Sequence, residues 1–214
     1  MSRVMRWIGE TPNAVLLAVQ IAGVLLYPFM EVSRPGRALF SLFSMLVLVL
    51  AVVAVRATPA LTWVAILIGV PLVMLTAFET ADRLPDDWET VSALLHSAFY
   101  FYAVYALIRY LFDDSHVTRD EIYAIGAAFT VAAWAFTYLY VGAQLIWPGS
   151  FGPQRSWMDL LFLSFTTLTS TGLSDITPVL PNARSFVMME QIAGLMYVAF
   201  VMARMVALTV RRFP

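Results

Sequence analysis

The 214-residue chain contains no cysteine and no lysine; all thirteen basic residues are arginine. The missing cysteine excludes disulfides and thiolate metal sites. Its two histidines, His96 and His116, are too few and too far apart in sequence for a metal site. Charge is scarce as well: 13% of residues are charged and the net charge is −1, which leaves no electrostatic footprint for nucleic acid. The chain lacks a Gly-x-Ser-x-Gly turn. The nearest stretch, Gly149-Ser150-Phe151-Gly152, has no histidine obviously placed to serve Ser150, so an intramembrane hydrolase is disfavoured and no enzyme is expected. Low-complexity segments and obvious repeats are also absent.

Apolar residues are what the chain has in excess, at 61%, where soluble domains sit near half. The charges cluster between apolar runs, as in a polytopic membrane protein. Asn13 to Met30 is the first expected span, with Asn13 as its cap after Pro12; it is too long for a signal-peptide core. Ala38–Val55 is the second and Ala60–Phe78 the third, with Pro71 as a kink. The acidic loop Glu79–Glu89 precedes a fourth span, Val91–Phe112. The charged connector Asp113–Glu121 leads to a fifth, Ile122–Trp147. Ser156–Thr169 suits a half-helix of about 20 Å, too short to cross. Phe186–Val210 is the last span, capped by Asn182 or Ser185. The fold class is therefore all-α integral membrane, with six transmembrane helices plus a re-entrant pore helix and loop.

With both termini cytoplasmic, eight arginines lie inside and five outside, the expected bias for an inner (plasma) membrane protein. The fourth span holds Arg109 alone among arginines, at its inner end, so it cannot serve as a voltage sensor. Residues 1–112 thus read as a four-helix, non-voltage-sensing membrane domain and 113–214 as a pore module. Tryptophans and tyrosines at span ends, Trp7, Tyr27, Trp88, Tyr110, Trp147 and Trp157, read as interfacial anchors. With Arg211–Pro214 alone after the last span, no cytoplasmic ligand domain is expected.

The stretch that organises the chain is Thr166-Thr-Leu-Thr-Ser-Thr-Gly-Leu-Ser-Asp-Ile-Thr-Pro178, hydroxyl-rich backbone between two apolar segments. Such backbone is tolerated at membrane depth where it lines a watery path. The half-helix before it ends in unpaired carbonyls, a cation-attracting terminus. One chain supplies one such strand, so a pore needs several subunits around an axis.

Residues from roughly 121 to 212 resemble the pore module of potassium channels and their prokaryotic relatives: helix, re-entrant helix, Thr-rich filter, Asp, inner helix. Where that family has Thr-Val-Gly-Tyr-Gly-Asp, this chain has Ser170, Thr171, Gly172, Leu173, Ser174 and Asp175. The resemblance implies a homotetramer passing monovalent cations, potassium first. Bound K+ or Na+ would be held by Ser170 Oγ and the carbonyls of Ser170, Thr171, Gly172 and Leu173. No other cofactor is implied, and membrane lipid and other copies of the chain are the only partners expected. Asp175 would concentrate cations at the outer mouth, with Asp159 and the acidic loop near it. Thr166, Thr169 and Glu190 are candidate filter supports, Glu190 bracing Thr166 or Thr169, or pairing with Arg184. Gly194 stands twenty residues after Ser174, where inner helices of the family have a hinge glycine or simply pack closely. Helical spacing then sets Val198, Met202 and Val206 on one face, as pore lining and a hydrophobic gate. Arg204 falls off that stripe, to snorkel or to pair with Asp113, Asp114, Asp120 or Glu121.

Two departures from the family carry consequences. Serine at 174 bears a steric cost in glycine-like backbone conformations. Leucine at 173 lacks the hydroxyl that ties the family's filter to pore-helix aromatics, where this chain has Phe162 and Leu163. Weak discrimination between potassium and sodium follows, or, as the alternative function, a non-conducting channel-derived subunit or receptor. The single filter glycine is also similar to four-repeat transporters of the Trk/Ktr type, but this chain has one repeat.

Overall fold

The structure, a computed structural model, describes residues 11–31, 34–56, 62–80, 87–112 and 119–211. Among the described residues every regular element is helical: α1 (Pro12–Glu31), α2 (Arg34–Arg56), α3 (Thr62–Thr80), α4 (Asp87–Leu111), α5 (Arg119–Ile146), α6 (Trp157–Leu168) and α7 (Pro181–Arg211). Long apolar runs without glycine clusters suit helices that satisfy their own backbone, as a bilayer demands. Trp88–Leu111, Asp120–Ile146 and Pro181–Ala207 are long and apolar enough to cross a membrane. Pro12–Tyr27, Phe43–Ala54, Trp63–Phe78 and Trp157–Leu168 are shorter apolar stretches. Most of the acidic loop, the Asp113 and Asp114 connector, and residues 1–10 with Trp7 lie outside the described residues.

The chain divides into two compact units, Met1–Asp86 with Phe99–Val131, and Asp87–Ala98 with Ala132–Pro214. In the first unit, α1 packs on α2 and α2 on α3. Pro71 sits inside α3, which continues through it. Asn13 is not the cap of α1. The helix starts at Pro12, with Val15 N donating to Thr11 O, so Thr11 is the cap residue and Pro12 takes the first helical position. Asn13 does something else. Its backbone N–H reaches Asp120 Oδ1 at 3.2 Å and its Nδ2 reaches Asp120 Oδ2 at 2.6 Å. Further along, a methyl group on Gly126 would lie 2.8 Å from Leu17. Further still, Thr130 Oγ1 donates to Gln20 Oε1 at 2.7 Å. The contacts ascend together along both helices, so α1 and the first half of α5 run parallel.

Asp120 also accepts from Tyr110 Oη at 3.3 Å and is buried. Tyr110 is thus turned to a carboxylate. Hydrogen bonds between apolar helices are worth about 1–2 kcal/mol each at most. Asp120→Ala removes three and strands the Asn13 donors, so the expected loss is about 3 kcal/mol. Unfolding by denaturant in detergent checks it, and Asp120→Asn is expected to recover part of the loss.

In the second unit, Ser97 Oγ donates to Ala135 O at 2.9 Å, and Gly142 packs on Leu94 and Ala93. His96 is buried, with Nδ1 2.8 Å from Ser92 O and its ring stacked 4.6 Å from Tyr138. Trp157 packs edge-on against Trp134 and Tyr138. Trp157 is therefore a packing residue of this unit as much as an anchor. The Gln144 amide clamps the loop before α6: Nε2 donates to Arg155 O at 3.0 Å and Oε1 accepts from Arg155 N at 3.1 Å. Ser150 is buried, its hydroxyl donating to Trp147 O at 2.7 Å and its carbonyl accepting from Val179 N at 2.8 Å. That serine ties two loops together.

Candidate functional site

The site grows from α6. Ser156 is its N-cap, accepting from Asp159 N at 3.2 Å, while Asp159 Oδ2 accepts from Ser156 N at 3.1 Å. This is a capping box with aspartate in the third position. Asp159 is thereby turned back onto its own helix terminus, and its carboxylate is half-buried rather than free at a mouth.

At the other end α6 stops in a Schellman motif. Ser170 N donates to Thr167 O at 2.9 Å and Thr171 N donates to Thr166 O at 3.0 Å. Gly172 N donates to the same Thr166 carbonyl at 3.1 Å, and Thr171 Oγ1 approaches it at 3.2 Å. The motif needs a left-handed residue after the cap, usually glycine; here Ser170 takes it, at φ 58°. Such a conformation costs a side-chain-bearing residue about 1–2 kcal/mol. Thr166 thus supports the filter stretch through its carbonyl, and its hydroxyl donates to Leu163 O rather than to Asp175. Thr169 Oγ1 donates to Phe165 O at 2.7 Å and lies 3.1 Å from Thr171 Oγ1. Of the last four carbonyls of α6, those of Thr166 and Thr167 are paired within the chain. Only the Leu168 and Thr169 carbonyls accept no backbone hydrogen bond among the described residues. The unpaired cation-attracting end expected from the sequence is therefore half its nominal size.

Beyond Ser170 the stretch is irregular. Gly172 has φ 65°, the conformation for which glycine is the default residue. Ser174 does not adopt positive φ; the strain expected there falls on Ser170 instead. Ser174 Oγ accepts from Ile176 N at 3.1 Å, a local turn that only a short polar side chain makes. Ser170, Thr171, Gly172, Leu173 and Asp175 are exposed, Leu173 at 75%. Phe162, a position where the family has an aromatic partner, is exposed as well, and Leu163 is buried.

α7 carries the rest. It begins at Pro181, with Arg184 N donating to Leu180 O, so Asn182 and Ser185 lie inside its first turn and neither is the cap. Ser185 Oγ donates back to Pro181 O. Arg184 Nε donates to Pro178 O at 3.3 Å. Glu190 is fully buried and takes neither Arg184, Thr166 nor Thr169 as partner. Its Oε2 contacts Tyr140 Oη and its Oε1 contacts Ser164 Oγ. Gly194 is buried against the end of α6: a methyl group there would sit 2.1 Å from Leu168 O and 2.9 Å from Leu168 C. Thr166, Thr167, Ser170, Gly172, Gln191, Ile192 and Leu195 line a groove of about 310 Å³ beside the filter stretch.

These parts match a family. Residues 125–211 match the family described as Ion channel. This segment is similar to ion-channel proteins of that family. Comparison of the whole chain with curated proteins and with solved structures gives no match. In this segment α6 and the start of α7 are packed, and most of α7 beyond Glu190 is bare. Leu160, Leu161, Thr167, Leu168, Ala183, Val187 and Glu190 are buried. Val198, Met202 and Val206, the residues of the expected lining stripe, are 50%, 59% and 57% exposed. Ser164, Tyr140 and the Gln144–Arg155 clamp are further supporting residues that the sequence did not single out. The capping box was readable as Ser-x-x-Asp; the others carry no local signal.

Proposed function

We propose that four copies of this chain surround a common axis and pass monovalent cations, potassium first, through a path lined by residues 170–174. The observation that carries this reading is the bare surface of the filter stretch and of α7. The back of the filter stretch is packed by α6 and α7, while the filter residues and α7's apolar stripe remain exposed. In the most apolar window of α7, 17% of residues are buried, against 50% in α4 and α5. In a membrane such bare apolar surface faces lipid or neighbouring subunits, and a bare hydroxyl-rich stretch suits an ion path.

Asp175 would stand at the outer mouth, and Ser170 Oγ with the carbonyls of 170–173 would replace the hydration shell of K+ or Na+. The parallel course of α1 and α5 supports a six-span topology. Three helices separate them, and four crossings, α1 to α4, return the chain to the side it started from. Both termini then lie on the cytoplasmic side of the cell's inner membrane, in keeping with the arginine bias.

The test is flux. Purified protein in liposomes with an outward potassium gradient is expected to dissipate it well above empty vesicles, with sodium passing more slowly. A tetramer is expected by native mass measurement. A tetramer without flux would favour the non-conducting reading.

A further inference from the structure

The buried carboxyl of Glu190 does nothing in ion passage as described above. It is fully buried, and its contacts among the described residues are two hydroxyls, with no cationic group. The protons available to the cluster distinguish two states of it. Three contacts need one proton each: Tyr140 Oη to Glu190 Oε2, Glu190 Oε1 to Ser164 Oγ, and Ser164 Oγ to Ala133 O at 2.9 Å. Ser164 has one proton for two contacts. Given to Ala133 O, which also accepts from Thr137 Oγ1 at 2.7 Å, it leaves Ser164 Oγ as the acceptor of a proton from a neutral Glu190; given to an ionised Glu190, it leaves the Ala133 contact without one. Tyr140 supplies the third proton. An ionised Glu190 leaves two protons for three contacts and sets two oxygens against each other.

We propose that Glu190 is a proton-operated latch: as a neutral acid it joins α7 through Ser164 to the Ala133 carbonyl of α5, and loss of its proton to water releases the filter-bearing α6. Ser164 stands on α6 one turn before Leu168, so the latch holds the segment that sets the filter's geometry. Around Glu190, α5 contributes Tyr140 as its titratable group, α6 contributes the non-titrating Ser164, and Arg184 on α7 is engaged with Pro178 O. An anion formed here gains no counter-charge from the described residues, so release of the proton drives rearrangement rather than pairing.

The test uses the full chain in lipid vesicles, wild type beside Glu190→Gln. Glutamine donates from Nε2 and accepts at Oε1, which copies the neutral acid and cannot release a proton. Infrared spectra at neutral pH are expected to show a carboxylic-acid C=O band that Glu190→Gln lacks and that alkali removes. Tyr140→Phe is expected to shift that band. Hydrogen exchange in α6, taken as the ratio of wild type to Glu190→Gln, is expected to be near one at neutral pH and to rise about tenfold in alkali. A missing acid band, an unmoved band in Tyr140→Phe, or a flat exchange ratio would overturn the latch. The consequence for conduction rests on the channel reading: potassium flux falls with rising pH in wild type and stays level in Glu190→Gln. Flux absent from both, with band and exchange as expected, sinks the channel reading and leaves the latch standing.

Discussion

Gly194→Ala is expected to unfold the pore module rather than retune its gating. A β-carbon at 194 would stand 2.1 Å from Leu168 O, 2.9 Å from its carbonyl carbon and 3.0 Å from its Cα. All three atoms are backbone, so no side-chain rotamer can relieve the overlap. Either α7 shifts away from the end of α6, or the Schellman turn that follows Leu168 opens. Over-packing in a close-packed interior costs about 1–3 kcal/mol where neighbours can give way. With backbone as the neighbour, about 3 kcal/mol or more is the expectation. A hinge role for Gly194 makes the opposite forecast: alanine would leave folding intact and change opening alone. In the structure α7 is helical from Pro181 to Arg211 without interruption at 194. Denaturant unfolding in detergent and the fraction recovered as tetramer separate the two. Leu168→Ala is not expected to rescue Gly194→Ala, because the clash is with the main chain. Normal stability and assembly in Gly194→Ala would refute the packing role.

What the sequence disclosed follows from what kind of signal each feature leaves. The helices show as apolar runs because a bilayer imposes a length and composition on each. The order of half-helix, hydroxyl-rich stretch and inner helix is written in adjacent residues, and so it was legible. The ends of helices were misread for a simple reason: Thr11-Pro12-Asn13 and Leu180-Pro181-Asn182 offer a proline and a polar residue side by side. Proline at the first helical position moved each start two residues earlier than a cap at Asn13 or Asn182 would. The end of α6 was hidden by Ser170, since nothing in a serine announces positive φ. Glu190 invited attention as an intramembrane carboxylate, but its partners stand 26 and 50 residues away. The α1–α5 contact left only a faint trace, polar Asn13 and Gln20 in one apolar span and small or polar Gly126 and Thr130 in the other.

The pair Leu173→Tyr with Ser174→Gly is expected to raise the preference for potassium over sodium by about tenfold, equivalent to about 1.4 kcal/mol. The size comes from the backbone. Ser174 now rests at negative φ, and its hydroxyl holds Ile176 N at 3.1 Å. Moving a serine into the left-handed region costs about 1–2 kcal/mol, a cost that glycine does not bear. Glycine also abandons the turn to Ile176, so both terms favour the same change. Leu173, 75% exposed, has no polar atom to fix the strand; tyrosine adds a hydroxyl. With these restraints the carbonyls of 172 and 173 keep one spacing, which favours one ion size over another. Reversal potentials in mixed potassium and sodium measure the outcome. Ser174→Gly alone is expected to give part of the gain, and Leu173→Tyr alone little, since a tyrosine cannot straighten a strand whose next residue still occupies its turn. Unchanged ratios in the double variant would mean that residues 170–174 do not line the path in the register proposed.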